Sequence, residues 1–342
     1  MTISVVTGGS GFIGQHLVDQ LLARGETVRI LDLVPPPYLA KGATFIQGSI
    51  NDQSLIRDVM DGARHVYHTA AIPHLWTPDP AAYQEVNVNG TRTVFEAALH
   101  AGAERIVHTS SSSILNGRHL GDGRVVIDER GETREDHLFG HYARSKWRAE
   151  RLAMSYTDRL EVVVVLPTLP LGPGDRHMTP PTRMLRDFMN GEAPAFIDCL
   201  LNIVDVRDVA AGHVLACERG RSGQRFILNQ HSVAMETFLH HLENLTGSVM
   251  PSWRIPKAVA LIASAANEAW STCVSKRAPK APLAGTRMGL KRVSFDNHLA
   301  RSALNFPETP LLKTLIDAVS WLAEAGRIVI SEEKSSLVLS ER

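Results

Sequence analysis

Short runs of β-branched and apolar residues alternate with longer stretches of helical spacing over the first half of the chain. The runs predict strands at residues 3–7, 27–31, 44–47, 65–69, 106–109 and 162–166. The stretches between them predict helices at residues 15–24, 53–60, 82–101 and 142–156. Strands that alternate with helices over this length are typical of a parallel sheet with helices on both faces. The pattern therefore predicts an α/β fold.

The second half of the chain has a different pattern. It predicts a loop ordered by prolines and glycines at residues 167–174, a helix at 180–190, strands at 202–209 and 224–228, and mainly helices from Met235 onward. We expect residues 1–166 and about 200–230 to form the sheet domain. Residues from about 167 to 199 and from 231 to 328 would form a smaller, mostly helical C-terminal region that binds the substrate, and residues 329–342 a polar tail.

An apolar segment spans residues 256–274 and contains the longest apolar run of the chain, residues 258–266. This run is about half the length that a membrane span requires. We therefore predict no transmembrane span. Three interpretations are open, in order of preference: a helix in the core, a hydrophobic lid, or a face that lies on a membrane surface.

Charge and composition narrow the functional classes. Lys+Arg and Asp+Glu each total 36, so the formal net charge is zero and no overall positive field attracts nucleic acid. The three cysteines, Cys199, Cys217 and Cys273, lie far apart, which is typical of a reducing cytoplasm. The N-terminus lacks the basic and apolar regions of a signal peptide. The cysteine pattern therefore predicts a cytoplasmic protein. No histidine pair has metal-binding spacing, so we also expect no metal site.

The first predicted strand leads into Gly8-Gly9-Ser10-Gly11-Phe12-Ile13-Gly14 and then into a helix. This order predicts a dinucleotide-binding turn of a Rossmann-type, doubly wound parallel sheet. Gly8 permits the tight turn, Gly11 lets the backbone approach a pyrophosphate, and Gly14 lets the helix pack closely. The first amides of the helix, at Phe12 and Ile13, would then face the phosphates.

Asp32 ends the second predicted strand, 18 residues beyond Gly14. A carboxylate at this position accepts hydrogen bonds from a ribose diol and repels a 2′-phosphate. Since Leu33, Val34 and Pro35 follow, no basic residue is adjacent, and the predicted cofactor is NAD rather than NADP. Further cofactor contacts are expected where other strands end, at Ser49, Ile50, Thr69, Ala70, Ala71, Thr109, Pro167 and Thr168.

Tyr142 and Lys146 are four residues apart and therefore lie on one face of a predicted helix. A free phenol has a pKa of about 10, too high for proton exchange at neutral pH. An ammonium group one turn away favours the phenolate, so we expect it to lower the pKa of Tyr142. The polar run from Thr109 to Ser113 ends the fifth predicted strand, at the edge of the sheet where ligands bind.

These elements occur in one order, and together they resemble the extended short-chain dehydrogenase/reductase family, part of the NAD-dependent epimerase/dehydratase superfamily. Within it, the chain is most similar to the dihydroflavonol reductases, 3β-hydroxysteroid dehydrogenases and hopanoid-associated sugar epimerases. The residues that match this branch are Leu75-Trp76-Thr77-Pro78-Asp79-Pro80, Gly140-His141-Tyr142 and Pro170-Leu171-Gly172-Pro173-Gly174-Asp175. The resemblance covers about residues 2–325.

The resemblance implies roles for individual residues. Tyr142 would be the acid/base, and Lys146 would lower its pKa and bind the nicotinamide ribose. Ser111, or alternatively Ser112, would hydrogen-bond the substrate oxygen, and Asn87 would orient the lysine. Family members commonly form homodimers through the helices around Asn87 and Tyr142. His74 and His141 are further candidates for polar groups in the substrate pocket.

Departures from the family pattern affect the choice of substrate. Ser49 and Asp205 replace residues that the family usually has, Ile72-Pro73-His74 is less polar than in the close branch, and Glu135 to His141 contains no proline. Leu169 replaces the asparagine that holds a sugar diphosphate. We therefore expect an NAD-dependent oxidoreductase acting on a secondary alcohol or ketone of a small, fairly apolar substrate. The alternatives are an NAD-retaining sugar epimerase or dehydratase, and a non-catalytic NAD-binding regulator.

Overall fold

The computed structural model describes residues 2–118 and 125–329. Its strands, in chain order, are β1 (Ile3–Thr7), β2 (Thr27–Asp32), β3 (Ala43–Gln47), β4 (His65–His68), β5 (Arg105–Thr109), β6 (Val125–Ile127), β7 (Glu161–Pro167), β8 (Leu169–Leu171), β9 (Phe196–Ile197), β10 (Leu200–Asp205), β11 (Arg225–Leu228), β12 (His231–Ala234), β13 (Arg254–Ile255) and β14 (Val293–Phe295). The predicted tail lies outside the described residues from position 330 onward.

The α-helices are α1 (Phe12–Ala23), α2 (Gln53–Met60), α3 (Ala81–Tyr83), α4 (Gly90–His100), α5 (Gly140–Met154), α6 (Pro180–Met189), α7 (Val206–Arg219), α8 (Met235–Thr246), α9 (Lys257–Trp270), α10 (Leu283–Gly289) and α11 (Leu311–Glu324). A π-helical turn, Gln84–Asn89, joins α3 to α4, and a second one, Ser271–Ser275, extends α9. The predicted helix at 82–101 is therefore one continuous helical segment that contains a π-helical turn.

Seven parallel strands form the central sheet in the order β11-β7-β5-β4-β1-β2-β3. The predicted Rossmann-type α/β fold is confirmed, and all seven strands of this sheet are among those that the sequence predicted. Except in the edge strand β3, their apolar residues are buried on both faces, as is typical of parallel sheets. One core cluster joins the sheet to α2, α4 and α5, and a second joins its other face to α1 and α7.

The predicted strand at residues 202–209 is wrong in its second half. Strand β10 ends at Asp205, and α7 begins at the next residue. The Asp205 side chain accepts a hydrogen bond from the Arg207 amide and thus caps the helix. Strand β10 pairs with β8 and β12 in a separate three-stranded sheet rather than with the central sheet. The predicted division of the chain into a sheet domain and a substrate-binding region is not tested by these pairings and stays a prediction.

A third core cluster lies in the C-terminal half and joins β10 to α6, α8 and α11. Helix α9 does not belong to it, because only Ala260 and Ser264 of this helix are buried. The preferred interpretation of the apolar segment, a helix in the core, is therefore wrong. Between β5 and α5, the described residues form β6 and short 3-10 turns, and residues 119–124 lie outside the described residues.

Candidate active site

The turn between β1 and α1 leaves no space for side chains at two of its glycines. Gly8 has a φ of +74°, and a Cβ added there would lie 2.7 Å from the Ala70 nitrogen. A Cβ at Gly14 would lie 2.1 Å from the Gly8 carbonyl oxygen. Gly11 is the N-cap of α1, and no side chain caps this helix end. The turn is thus a concave surface of backbone in front of a helix N-terminus, which is suited to bind phosphate groups.

Asp32 lies beside this turn at the carboxyl end of β2. Its two carboxylate oxygens accept hydrogen bonds from the Ser10 amide at 3.0 Å and the Leu33 amide at 2.7 Å. The next two residues, Leu33 and Val34, are exposed, with 64% and 43% of their surface accessible. Because both are apolar, no positive charge lies next to the carboxylate in the chain. The Asp32 carboxylate remains half-exposed and fits a ribose diol better than a phosphate.

The other predicted cofactor residues of this half differ in accessibility. Ile50 and Phe12 are only 6% and 7% exposed, so their side chains contribute mainly packing. Ser49 is half-exposed, and its hydroxyl accepts a hydrogen bond from the Asn51 amide. The Thr69 hydroxyl donates to the Thr7 carbonyl oxygen at 2.8 Å, which fixes the end of β4 against β1. Half-buried positions along the same edge of the sheet are Ile13, Ala70 and Ala71.

Tyr142 lies in the first turn of α5 and faces the serine that follows β5. The Ser111 hydroxyl lies close enough to the phenol to lower its pKa. The Ser111 oxygen also accepts a hydrogen bond from the Ser113 amide at 3.2 Å, which orients it. Burial raises the pKa of Tyr142 above its ordinary value, and the Ser111 hydroxyl opposes this rise. The structure therefore brings two of the three predicted catalytic residues near each other.

Lys146, one turn further along α5, contacts the sheet instead of the phenol. Its ammonium donates to the Thr109 carbonyl oxygen at 2.5 Å. Burial lowers the pKa of Lys146 to about 8, and the nearby Glu150 carboxylate opposes that shift. The expectation that the lysine gives Tyr142 a lowered pKa is wrong for this structure. Burial of the phenol is the larger effect, and the ammonium is held at the end of β5.

Asn87 lies in the π-helical turn and connects two parts of the site. Its side-chain oxygen accepts a hydrogen bond from the Ile72 amide at 2.8 Å, and its nitrogen donates to the Ser145 hydroxyl at 2.9 Å. Ser145 in turn donates to the Tyr142 carbonyl oxygen at 2.7 Å. No hydrogen bond from Asn87 to Lys146 is found among the described residues. Asn87 therefore orients the first turn of α5 rather than the lysine itself.

The loop after β7 is fixed at both of its ends. Pro167 is the buried last residue of β7, and the Thr168 hydroxyl donates to the Leu228 carbonyl oxygen at 3.2 Å. Further along, Gln15 of α1 donates to the Gly174 carbonyl oxygen at 2.7 Å. The segment is thus ordered, as predicted, and β8 lies inside it. The cofactor contacts expected at Pro167 and Thr168 stay a prediction.

The three candidate substrate residues differ in how deeply they are buried. His74 is half-buried, and burial followed by the charge of Arg183 lowers its pKa. Ser112 is 7% exposed in the turn after Ser111. His141 is exposed at the start of α5. Of the three, His74 has the environment of a pocket residue, and the substrate role of all of them stays a prediction.

Sequence reasoning missed Tyr83. Its ring contacts Tyr142 edge to face, and its hydroxyl donates to the His74 carbonyl oxygen at 2.6 Å. Tyr83 is 2% exposed and connects the His74 loop to α5. The spacing of four residues between Tyr83 and Asn87 indicates a shared helix face, and this was the available signal.

Comparison with known proteins identifies this arrangement. The model of the NAD dependent epimerase/dehydratase family matches residues 4–229. The chain belongs to this family. A protein of Synechocystis sp., provisionally named dihydroflavonol 4-reductase, is 34% identical over 94% of the chain and 95% of its own length. Sterol demethylase protein B of Methylococcus capsulatus is 30% identical over 95% of the chain and 99% of its own length.

Solved structures of the family agree with this assignment. MoeE5, solved in complex with UDP-glucuronic acid and NAD, superposes with a TM-score of 0.74 at 25% identity and covers 94% of the chain and 99% of its own. The present chain is therefore an NAD-dependent enzyme of the extended short-chain dehydrogenase/reductase type. Its relatives include reductases and dehydrogenases.

The residues present fit NAD. The two glycines that exclude a Cβ, the uncapped end of α1 and the half-exposed Asp32 carboxylate form a cradle of the right chemistry. The Ser10 hydroxyl is buried beside them and has no hydrogen-bond partner among the described residues, so it is available to a phosphate oxygen. Within residues 2–118 and 125–329, no cluster of metal-ligating side chains occurs. In the same ranges, no helix has both the length and the apolarity of a membrane span.

Proposed function

We propose that this protein is an oxidoreductase that moves a hydride between NAD and the carbon of a secondary alcohol or ketone. The substrate would be small, fairly apolar, and hydroxysteroid- or dihydroflavonol-like. The main support is that Ser111, at the end of β5, lies close enough to the Tyr142 phenol to lower its pKa, beside the buried ammonium of Lys146 at the same edge of the sheet. When bound, NAD supplies the hydride acceptor or donor.

The side chains of the chain would handle the oxygen and its proton. Ser111 would donate a hydrogen bond to the substrate oxygen, and Tyr142 would exchange the proton with it. In alcohol oxidation, the phenolate of Tyr142 takes the hydroxyl proton. In ketone reduction, the phenol returns a proton to the oxygen. Lys146, one turn further along α5, would bind the nicotinamide ribose, as the family resemblance implies.

An apolar substrate is supported by the walls around these groups. The loop that contains Leu75 and Trp76 packs beside Tyr83, which contacts Tyr142. Leu75 also approaches Gly285, where an added Cβ would lie 2.9 Å from its Cδ1. Apolar and aromatic side chains of this kind are typical of pockets that bind apolar ligands. The similarity to sterol demethylase protein B points to the same substrate class.

The likeness to MoeE5 favours a second candidate, an NAD-retaining sugar epimerase or dehydratase. Against it, Leu169 lies in β8, pairs with Ile203 and packs against the third core cluster, so this position offers no amide to a sugar diphosphate. A non-catalytic NAD-binding regulator is the remaining alternative. It is the least supported, since both Tyr142 and Lys146 are retained.

The test is a turnover assay on the purified protein. Hydroxysteroids, dihydroflavonols, small secondary alcohols and the matching ketones are each supplied with NAD or NADH, and the absorbance of reduced nicotinamide is followed. We expect net turnover with at least one apolar substrate. Cofactor that co-purifies and never changes its redox state, together with activity on nucleotide sugars, would support the epimerase instead.

We also propose that the protein is a cytoplasmic homodimer that assembles through α4 and α5. The support is the placement of Asn87 and Tyr142 on adjacent helical segments, which is the arrangement that the family resemblance implies for its dimers. Cys199 and Cys217 are buried free thiols and Cys273 is an exposed one, which suits a reducing compartment. Sedimentation velocity measures the oligomeric state directly, and a monomer at all concentrations contradicts the proposal.

A further inference from the structure

Helix α9 has its polar and apolar faces reversed relative to a normal surface helix. Its polar side chains point inward: the Ser264 hydroxyl hydrogen-bonds Thr286 at 2.7 Å, and the Glu268 carboxylate accepts a hydrogen bond from the Leu283 amide at 2.8 Å. A helix on a protein surface normally buries its apolar stripe and exposes its polar one. The reversal means that the packing of this chain alone does not explain the sequence of α9.

The outward face of α9 is a continuous apolar stripe. Val259, Ile262 and Trp270 recur at helical spacing and are 49%, 71% and 61% exposed. Val274, in the π-helical turn that extends the helix, is 56% exposed, and Trp253, just before the helix, is 65% exposed. Alanines fill the positions between them on the same side. Contiguous apolar surface of this kind marks an interaction site.

The segment around this stripe is strongly basic, although the chain as a whole is neutral. Residues 250–292 contain eight Lys and Arg residues and one acidic residue, Glu268, which gives a net charge of +7 from eight minus one. Arg254 and Arg292 are paired with Asp198. Lys276, Arg277 and Lys280 are exposed and follow the helix directly. Positive charge is therefore concentrated at the C-terminal end of the apolar stripe.

We propose that α9 and the turn after it, residues 257–280, dock in the plane of an anionic lipid bilayer. The apolar stripe would enter the boundary between headgroups and acyl chains, while Lys276, Arg277 and Lys280 contact lipid phosphates. Tryptophan is enriched at this depth of a membrane, which fits Trp253 and Trp270 near the two ends of the stripe. With 14 residues, α9 is too short to cross the bilayer, so it lies on the surface.

Docking here would bring the membrane next to the substrate pocket. The Trp76 indole nitrogen donates to the Thr272 hydroxyl at 3.2 Å, so the loop of Leu75 and Trp76, which the proposed function places beside the substrate, is bonded to the turn after α9. An apolar substrate dissolved in the bilayer would then reach Tyr142 without crossing water. This last step rests on the proposed function, whereas the docking itself does not.

The test is vesicle binding measured without cofactor or substrate, so that a failed turnover assay leaves its result unaffected. The full chain is co-sedimented with phosphatidylcholine vesicles and with vesicles that contain about one-third phosphatidylserine. We expect binding to the anionic vesicles and an apparent partition coefficient about tenfold lower in Ile262→Glu. Leu312→Glu is the matched control, because Leu312 is also an exposed branched aliphatic residue on a helix, at 47% exposure, away from α9. It should bind as the wild type does.

Charge is tested separately by reversing Lys276, Arg277 and Lys280 to Glu together. We expect the preference for anionic vesicles to disappear, and an unchanged preference contradicts the proposed docking. Circular dichroism and NAD binding of each variant check that it folds. Failure of the wild type to bind either vesicle overturns the proposal. It is also overturned if, without lipid, Ile262→Glu converts a dimer to a monomer in sedimentation velocity, because a second copy of the chain then covers the stripe.

Discussion

The rings of Tyr83 and Tyr142 meet edge to face, with their centroids 6.4 Å apart and their planes inclined by 62°. Tyr83 lies just before the π-helical turn and Tyr142 lies in the first turn of α5. The contact joins two helical segments at the point where the phenol must be held steady for proton exchange. Since edge-to-face pairs contribute about 1 kcal/mol beyond burial, this contact is large enough to matter for the geometry of the site.

Replacing Tyr83 tests that role. We expect Tyr83→Leu to lower turnover by about tenfold, because the phenol of Tyr142 loses its lateral support, while NADH binding is nearly unchanged. Tyr83→Phe keeps the ring and removes only the hydrogen bond to His74, so its effect should be smaller and fall mainly on KM. Steady-state kinetics and NADH fluorescence measure the two quantities. Equal losses in both variants would contradict a role for the ring.

Removing the hydroxyl groups of the site tests the proposed proton exchange. Tyr142→Phe should lower turnover by a factor of about 10² to 10⁴ and leave NADH binding intact. Tyr156→Phe is the control, because this tyrosine is also buried but lies away from the site, where its hydroxyl contacts Glu96. Normal turnover in Tyr142→Phe would exclude the tyrosine as the acid/base.

The pH profile of alcohol oxidation reports the ionisation of Tyr142. Burial raises the pKa of Tyr142, so the base form increases as the pH rises, and oxidation should accelerate toward alkaline pH. The Ser111 hydroxyl opposes the rise in this pKa, so Ser111→Ala should shift the alkaline limb of the profile to still higher pH. A shift toward lower pH would contradict this effect of Ser111. Ser112→Ala provides the comparison, since this serine is the alternative substrate contact.

The buried lysine predicts an unusual dependence of stability on pH. Burial lowers the pKa of Lys146 from 10.5 to about 8, so between these values the unfolded chain binds more protons than the folded one. The contribution of Lys146 to the free energy of unfolding should therefore rise as the pH increases from 8 to about 10, by up to about 3 kcal/mol. Urea denaturation at pH 7 and pH 10 measures the change.

Lys146→Met should remove that rise, because no ammonium then has to be buried. Lys313→Met is the control, since this lysine is half-exposed and pairs with Asp317. The control variant should keep the pH dependence of the wild type. If Lys146→Met keeps it as well, the rise has another source.

Cofactor choice is predicted to depend on Asp32. The double variant Asp32→Ser with Leu33→Arg removes the carboxylate and adds a cation beside the ribose site, so affinity for NADP should rise and affinity for NAD should fall by about tenfold each. Leu33→Arg alone keeps the carboxylate and should keep NAD. Fluorescence titration of NADH and NADPH gives both dissociation constants. Unchanged discrimination in the double variant would mean that Asp32 does not contact the ribose.

The parts of the fold that depend on local pattern were predictable from sequence. The inner strands of the central sheet are buried on both faces, so a strand such as β7 appears as an uninterrupted apolar run at residues 162–166. The same rule misled at residues 202–209, where Val206 and Val209 continue an apolar run into the first turn of a helix. Asp205, a good helix cap, was the available sign of that boundary.

The site was predictable only as far as its residues lie in recognisable motifs. The glycine turn, Asp32, Ser111, Tyr142 and Lys146 are brought to one edge of the sheet, as expected from their positions at strand ends and on α5. The direction of the pKa shift of Tyr142 was not predictable, because burial of the ring depends on contacts such as that with Tyr83. Exposure of α9 likewise follows from tertiary packing and not from its hydrophobicity.

The π-helical turn at Gln84–Asn89 sets the relative orientation of Tyr83 and α4. Such a turn contains one residue more than an α-helical turn would need, and each helical residue rotates the chain by about 100°. Deleting a single residue here would regularise the helix but swing Tyr83 away from Tyr142. The helical segment thus contains one residue more than a regular α-helix would need. This extra residue sets the angle between the rings of Tyr83 and Tyr142.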